Sequence, residues 1–503
     1  MCAAAPIWGS TAIATIAPEP TGGQPRSAAK FSIVMAMVAA MAAGGCVVGP
    51  DYRALSASDL KVPQGFSAAP ARSDAGAADL GRWWQGFGDP VLTQLVERAL
   101  GGNLDVDAAG SRVRQARAAW LSARGAQLPS VGVGGSASRT IGRGGGDSTL
   151  FQMGLDAAYE ADLFGGVRRS VEAARADEQV ALANLHAAQL SVAGEVALNY
   201  VDARLAQARL RIAQDNLAAQ DETLQIVGWR VQAGLVSSLD LEQARQLRAQ
   251  TASSLPTIDS AYVAAINRLA VLVGEAPGAV TALVGAGAPI PKAPSTQMVQ
   301  IPLEVLQRRP DIDAAERGLA AQTARIGVQT AQLYPALRLT GSFGGSGTSL
   351  RQIADSSLGN VVANLTAPLF EGGRIRAAIE GQDAATAVAV ANYRRAVLVA
   401  LEEVENALTA VSSTDQRAAN IAVSEQAARN VAAYARIQYN TGLIDFRALL
   451  DAERSLLSSQ DASVTGSAAQ ATAAIQLYKA LGGGWQGAPE PRSVAAQGLA
   501  KGP

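Results

Sequence analysis

The chain of 503 residues carries 42 basic and 43 acidic side chains, for a formal net charge of −1, and is half apolar but only 5% aromatic. Its basic residues are scattered and matched by acids, which excludes the one-sided positive surface of a nucleic-acid binder. Only two cysteines, Cys2 and Cys46, occur, which excludes a disulfide framework. Ala, Leu, Gln, Glu and Arg dominate and favour long helices.

The apolar run Phe31–Met41 follows Arg26 and Lys30 and ends in Ala42-Ala43-Gly44-Gly45-Cys46. A basic start, a short apolar core and small residues at a cut site predict a signal peptide over 1–45. A cysteine directly after small residues resembles a bacterial lipobox, so cleavage before Cys46 would leave it as the lipid-bearing N-terminus. Ala43 stands where a lipobox usually has Leu, and a plain signal peptide with an incidental cysteine stays open. Val47 rather than Asp follows, so the usual signal for inner-membrane retention is missing. No later stretch is long and apolar enough to read as a transmembrane helix.

Residues 46–88 read as a lipidated, irregular N-terminal segment closed by Trp83-Trp84-Gln85-Gly86-Phe87-Gly88. Asp89 and Pro90 are suited to cap and open a helix over Val91–Leu100. A second helix fits Leu104–Ala126. The period then changes to 2. Val131 and Val133 alternate with Ser130 and Gly132. Phe151, Met153, Leu155, Ala157 and Tyr159 alternate with Gln152, Asp156 and Glu160. This predicts a β-hairpin over 129–163, turned at the glycine-rich 142–147. That glycine cluster lacks the Gly-Lys-Ser/Thr ending of a phosphate loop. A proline-free helix of about 65 residues follows from Val167 to Ala233-Gly234, roughly 100 Å long at 1.5 Å per residue. Its partner spans Leu239–Gly274, where Pro256 predicts a kink or break.

After a proline-rich linker at 276–300 the plan recurs. Pro302 opens a short helix, and Pro310 opens another that runs to Leu333. A hairpin covers 335–370, a second rod ends at Thr441-Gly442, and a partner helix covers 446–481. Leu128-Pro129 returns as Tyr334-Pro335 after 206 residues, and Gly234 returns as Gly442 after 208. The chain is therefore a tandem duplication: first repeat 89–275, second repeat 301–484, and a mobile tail at 485–503.

Each repeat supplies one two-stranded ribbon with an apolar and a polar face. In lipid every backbone group must be paired, and closed barrels need about 8 strands or more. Four strands cannot close alone, whereas three chains would make twelve. The expected fold class is therefore an α+β membrane protein. It is a duplicated helix–hairpin–long-helix pair that forms a homotrimeric, 12-stranded transmembrane β-barrel continuous with a helical barrel. Asp156, Glu160 and Asp162 would line the lumen. A soluble, half-buried sheet would show the same alternation. The short helix and the partner helix of each repeat together nearly match the rod's length, so they could stack end to end beside it.

The chain resembles the outer-membrane factor family, the TolC/OprM-like ducts of tripartite efflux and secretion systems, and in particular its lipoprotein branch. The residues that carry the likeness are Cys46-Val47-Val48-Gly49-Pro50-Asp51-Tyr52, Arg308-Arg309-Pro310-Asp311-Ile312, Leu369-Phe370-Glu371-Gly372-Gly373 and Tyr439-Asn440-Thr441-Gly442. The resemblance implies an outer-membrane location and a tunnel projecting into the periplasm. It implies a periplasmic adaptor and an inner-membrane transporter of the resistance-nodulation-division type as partners, beside the outer-membrane lipid. By the same resemblance, Tyr439 and Asp451 match aperture residues at the tunnel's far end, and Asp240 lies in the equivalent turn of the first repeat. A further aspartate usual in the family is replaced by Ala448. Gly234, Leu235, Val236, Gly442, Leu443 and Ile444 would contact the adaptor. The plainer alternatives are an i,i+3 pair of Asp451 with Arg454 and local helix packing for the apolar turn residues.

No catalytic constellation is legible. The single His186 lies mid-helix without metal-ligand spacing around it, and no cofactor is expected. The function implied is passive conduction of drugs or other small molecules out of an efflux pump. A protein-secretion duct and a soluble periplasmic helical scaffold are the alternatives.

Overall fold

A computed structural model describes residues 47–60, 62–63, 65–66, 80–141, 147–292 and 308–488. The expected signal peptide, Cys46, the glycines at 142–146 and the helix expected at Pro302 lie outside the described residues. The chain divides into two units, Met1–Cys46 and Val47–Pro503, and every described residue belongs to the second.

Two rods dominate that unit, α3 (Gly166–Gln232) and α8 (Arg374–Asn440), each 67 residues long. Both start after a left-handed glycine, Gly165 or Gly373. Both stop the same way. Gly234 and Gly442 take φ of 71° and 76°, and the next residue's N–H reaches back five residues, Leu235 to the Arg230 carbonyl and Leu443 to that of Gln438, each at 2.8 Å. This closes the orphan carbonyls of the last turn, and only glycine adopts that φ without strain.

The partner helices α4 (Ser238–Leu272) and α9 (Phe446–Ala480) are 35 residues each. The shorter α2 (Leu104–Gly125) and α6 (Pro310–Ala331) are 22 each. The expected end-to-end stacking is present in both repeats. Asn103 caps α2 with its side-chain oxygen and donates its amide to the Leu272 carbonyl at the end of α4, at 2.9 Å. Arg309, just before α6, donates to the Ala480 carbonyl at the end of α9, at 3.0 Å. In each case one polar side chain satisfies a helix end that would otherwise be buried unpaired. Helix α4 runs unbroken through Pro256, which corrects the expected break. The proline ring is exposed, and the helix is held against α3.

Rod α3 packs on α2, α4, α6 and α9, whereas α8 packs on α6 and α9. Alanines fill much of these seams, among them Ala193, Ala197, Ala203, Ala471 and Ala474, and so bring the helix axes close. The largest core lies where α1 (Pro90–Gly102) and a 3₁₀ helix (Leu80–Phe87) meet the middle of α3 and the end of α9. Leu80–Phe87 is therefore ordered rather than irregular. Trp83 stacks on Tyr478 with ring centroids 5.4 Å apart. The linker also holds an ordered turn, α5 (Thr281–Val284), with Val280 and Val284 buried. Buried Arg204 fastens it by donating to the carbonyls of Val284 (3.1 Å) and Ala286 (2.7 Å).

The strands β1 (Ser130–Thr140), β2 (Ser148–Ala161), β3 (Ala336–Gly347) and β4 (Leu358–Thr366) form one antiparallel sheet in the order β1-β2-β3-β4. The two hairpins thus join edge to edge across the repeats. A short helix, α7 (Leu350–Asp355), sits in the second hairpin's connection. It is too short to show a helical period in the sequence.

Candidate functional site

The sheet separates two chemistries. On one face Asp156 pairs with Ser342, which pairs with Asn360; Glu160 pairs with Arg338, which pairs with Asn364. On the other, Val131, Val133, Leu155, Phe343, Val361 and Leu365 are all exposed. Period-2 alternation in register produces this split. The polar face is less acidic than expected, because Arg338 lies directly across from Glu160. Asp162 is not on it. The strand ends at Ala161, and the Asp162 carboxylate accepts from the backbone N–H groups of Val167 (3.1 Å) and Arg168 (2.8 Å) and from Arg168 Nε (3.2 Å). The free N–H groups and positive end of α3 claim this carboxylate for structure.

Below the strands, the segment after Cys46 is laid on the start of α3. Val48 N donates to the Phe164 carbonyl at 3.1 Å. Buried Arg169 donates to the carbonyls of Val48 (3.3 Å) and Gly49 (3.4 Å) and pairs with Asp51 (2.6 Å) and Glu172 (2.8 Å). Gly49, at φ 89°, lies so close to α6 that a Cβ there would meet Gly327 Cα at 2.5 Å. Tyr52 donates to Glu316 at 3.1 Å. The run from Val48 to Tyr52 therefore holds the N-terminal segment at the junction of strands and rods.

At the opposite end, both helical turns share one apolar cluster that includes Val227, Leu247, Tyr439, Phe446, Leu449 and Leu450. Tyr439 is buried in it, edge-on to Phe446 at 5.7 Å, and its hydroxyl has no hydrogen-bond partner among the described residues. Burial pushes the Tyr439 phenol above its ordinary pKa, opposed by Arg230. The Arg230 guanidinium lies 4.5 Å from the Tyr439 ring centroid and donates to the carbonyls of Tyr439 (3.1 Å) and Asn440 (3.0 Å). Arg230 thus ties the end of α3 to the end of α8, a role sequence reasoning missed. The available signal was a cation in the last turn of one rod, four residues before its terminal glycine.

Asp240 is occupied as well. It forms a capping box with Ser237, accepting from the Ser237 hydroxyl at 3.0 Å and from its N–H at 3.1 Å. Asp451 is exposed and reaches only 4.0 Å from Arg454, the i,i+3 pair. The N–H of Ala448 donates to Asp445, the N-cap of α9, at 2.9 Å. Of the turn residues, Leu235 and Leu443 are exposed, whereas Val236 and Ile444 pack against the apolar cluster. The outward set is thus smaller than the sequence suggested. Behind the tip, buried Glu453 accepts from Thr223 (3.2 Å) and Arg436 (3.4 Å) and links α9 to both rods. Burial raises its pKa above the ordinary carboxylate range, and Arg436 and the Thr223 hydroxyl oppose that rise.

His186 stacks on Trp485 at 4.1 Å, and burial lowers its pKa. Among the described residues no group of three or more His, Cys, Asp or Glu is placed to hold a metal.

This geometry has known counterparts. The family model for outer membrane efflux protein matches residues 95–275 and 301–483. A pyoverdine export outer membrane protein of Pseudomonas putida is 35% identical over 84% of this chain and 92% of its own length. The solved outer-membrane channel OprN superposes with a TM-score of 0.81 at 34% identity, over 88% of this chain and all of its own. The open state of the Neisseria gonorrhoeae MtrE outer membrane channel gives 0.80 at 28% identity, over 88% of this chain and 99% of its own.

Proposed function

Since the chain belongs to the outer membrane efflux protein family, we propose that three copies form the outer-membrane exit duct of a tripartite efflux pump. The observation that carries this is the sheet. Among the described residues it has four strands, two unpaired edges at β1 and β4, and one apolar, exposed face. Open edges are not tolerated in lipid, so β4 of one copy pairs with β1 of the next until the ring closes. Three copies contribute twelve strands, a size that holds a wet lumen. The rods continue the wall as a periplasmic tunnel.

Conduction needs no chemistry from this chain, and the energy comes from an inner-membrane transporter reached through a periplasmic adaptor. The polar strand face with Asp156, Glu160 and Arg338 lines the lumen. The repeats 89–275 and 301–484 act as two like wall segments, which two separate matches to one family model support. Cys46 bears lipid. The anchoring of Val48 and Gly49 at the strand–rod junction supports this, because it brings the chain to the membrane's periplasmic surface. The pyoverdine-export relative favours a small-molecule cargo. At rest the tip is closed, with Arg230 holding the two rods together and Asp451 of three copies forming a ring. The exposed Leu235 and Leu443 meet the adaptor.

The test is to extract the protein from outer membranes in detergent, measure its native mass, and record conductance in planar bilayers. A three-chain species that forms large pores is expected. A soluble, elongated monomer in the periplasmic fraction would overturn the reading.

A further inference from the structure

The two repeats are alike in sequence but not in what covers them. Phe164 leaves β2 beside the entry to β3 and stacks on Tyr334, with ring centroids 4.6 Å apart and planes at 19°. Its counterpart 206 residues on is Phe370, which leaves β4. Phe370 is 91% exposed and Leu369 is 98% exposed, whereas Leu163 and Phe164 are half-buried. The counterpart of Tyr334 is Leu128, before β1, and it is 68% exposed. Two bare apolar surfaces thus stand where the other repeat has a made contact.

The same asymmetry runs up the rods. Ala183 and Leu190 on α3 are buried, while their counterparts 208 residues on, Ala391 and Leu398 on α8, are exposed. Ala471 on α9 is buried, while its counterpart Val263 on α4 is exposed. α3 is covered by α6 and α9, and α8 lacks the matching pair. That pair is α2 and α4, which a second copy would supply in the order the repeat dictates. Apolar surface this bare, continuous with an open sheet edge, is the kind that association covers.

We propose that Leu369–Phe370 is a subunit clamp that seats against Leu128-Pro129 of a second copy of this chain, reproducing between chains the Phe164–Tyr334 stack within one. The proposal rests on the shared-barrel reading above. Phe370 exits the strand that ends the sheet, so its partner is the residue that starts the next sheet.

The experiment pairs Phe370→Cys with Leu128→Cys in the full-length chain, expressed in outer membranes and mildly oxidised. Most chains should run as covalent dimers and trimers on denaturing gels, and neither single substitution should do so. The pair Phe164→Cys and Tyr334→Cys should cross-link within one chain and stay monomer-sized. As a second measure, Phe370→Asp should lower the temperature at which detergent-extracted trimers dissociate. A three-chain species whose 370/128 pair does not cross-link, and whose heat resistance Phe370→Asp leaves unchanged, would overturn the clamp alone. Labelling of the Phe370→Cys thiol by a membrane-embedded probe in such trimers would show the loop facing lipid instead. A chain that is monomeric with or without these substitutions would overturn the shared barrel itself.

Discussion

Replacing Arg230 by Ala cuts the tie between the two rods at the tip. The side chain makes two charge-assisted hydrogen bonds to carbonyls, at 3.1 and 3.0 Å, and lies 4.5 Å from the Tyr439 ring centroid. The guanidinium is only half-buried, so each hydrogen bond is worth about 0.5–1 kcal/mol rather than the larger value of a dry site. The cation–π contact adds about 0.5–1 kcal/mol. The sum is about 2 kcal/mol per subunit, or roughly a thirtyfold shift toward the parted tip. The carbonyls freed at the end of α8 can turn to water, so no buried group is orphaned to complicate the sign. Single-channel recording of Arg230→Ala in planar bilayers should show a larger fraction of time at high conductance. Arg230→Lys should fall between, because an ammonium keeps the charge but not the two-pronged reach to adjacent carbonyls. Unchanged open times in Arg230→Ala would refute the assignment of this tie as the closing element.

Tyr439→Phe should leave both conductance and thermal stability unchanged or slightly raised, since the buried hydroxyl has no hydrogen-bond partner among the described residues to lose; a marked rise in conductance would mean the hydroxyl itself holds the tip. Gly49→Ala should free the N-terminal segment, because φ 89° and the 2.5 Å approach to Gly327 leave no room for a methyl group. Limited proteolysis should then cut after Val48 far faster than in the wild type while the rods stay intact. Glu453 binds its proton more tightly folded than unfolded, so tip stability should fall as pH rises above the ordinary carboxylate range. Glu453→Gln should flatten that slope in hydrogen exchange of the α8–α9 turn, and an unaltered slope would assign it elsewhere.

Much of the architecture was legible without coordinates. The rods were visible because 67 residues without proline, rich in alanine and bounded by glycines, have few alternatives to helix. The strands were visible because alternation has period 2, and the repeat because its offset barely drifts. Pro256 misled, since packing along α3 outweighs one missing hydrogen bond on an exposed face. The tip was the least legible part. Asp240 and Asp162 look like free acids in a sequence, but each lies within reach of unpaired helix N–H groups. Local capping satisfies such a carboxylate before any lumen can use it. Val236 and Ile444 look like exposed turn residues until the neighbouring helix pair covers them.

The sequence by itself determined the elements, their duplication and the two-faced strands, because these depend on period, propensity and glycine placement within one stretch of chain. The tertiary structure alone decided which side chains are spent and which remain free. Arg230 meets Tyr439 across 209 residues, and Phe164 meets Tyr334 while Phe370 stands almost fully exposed. Such pairings follow from how rods and strands are laid side by side, and no local pattern encodes that.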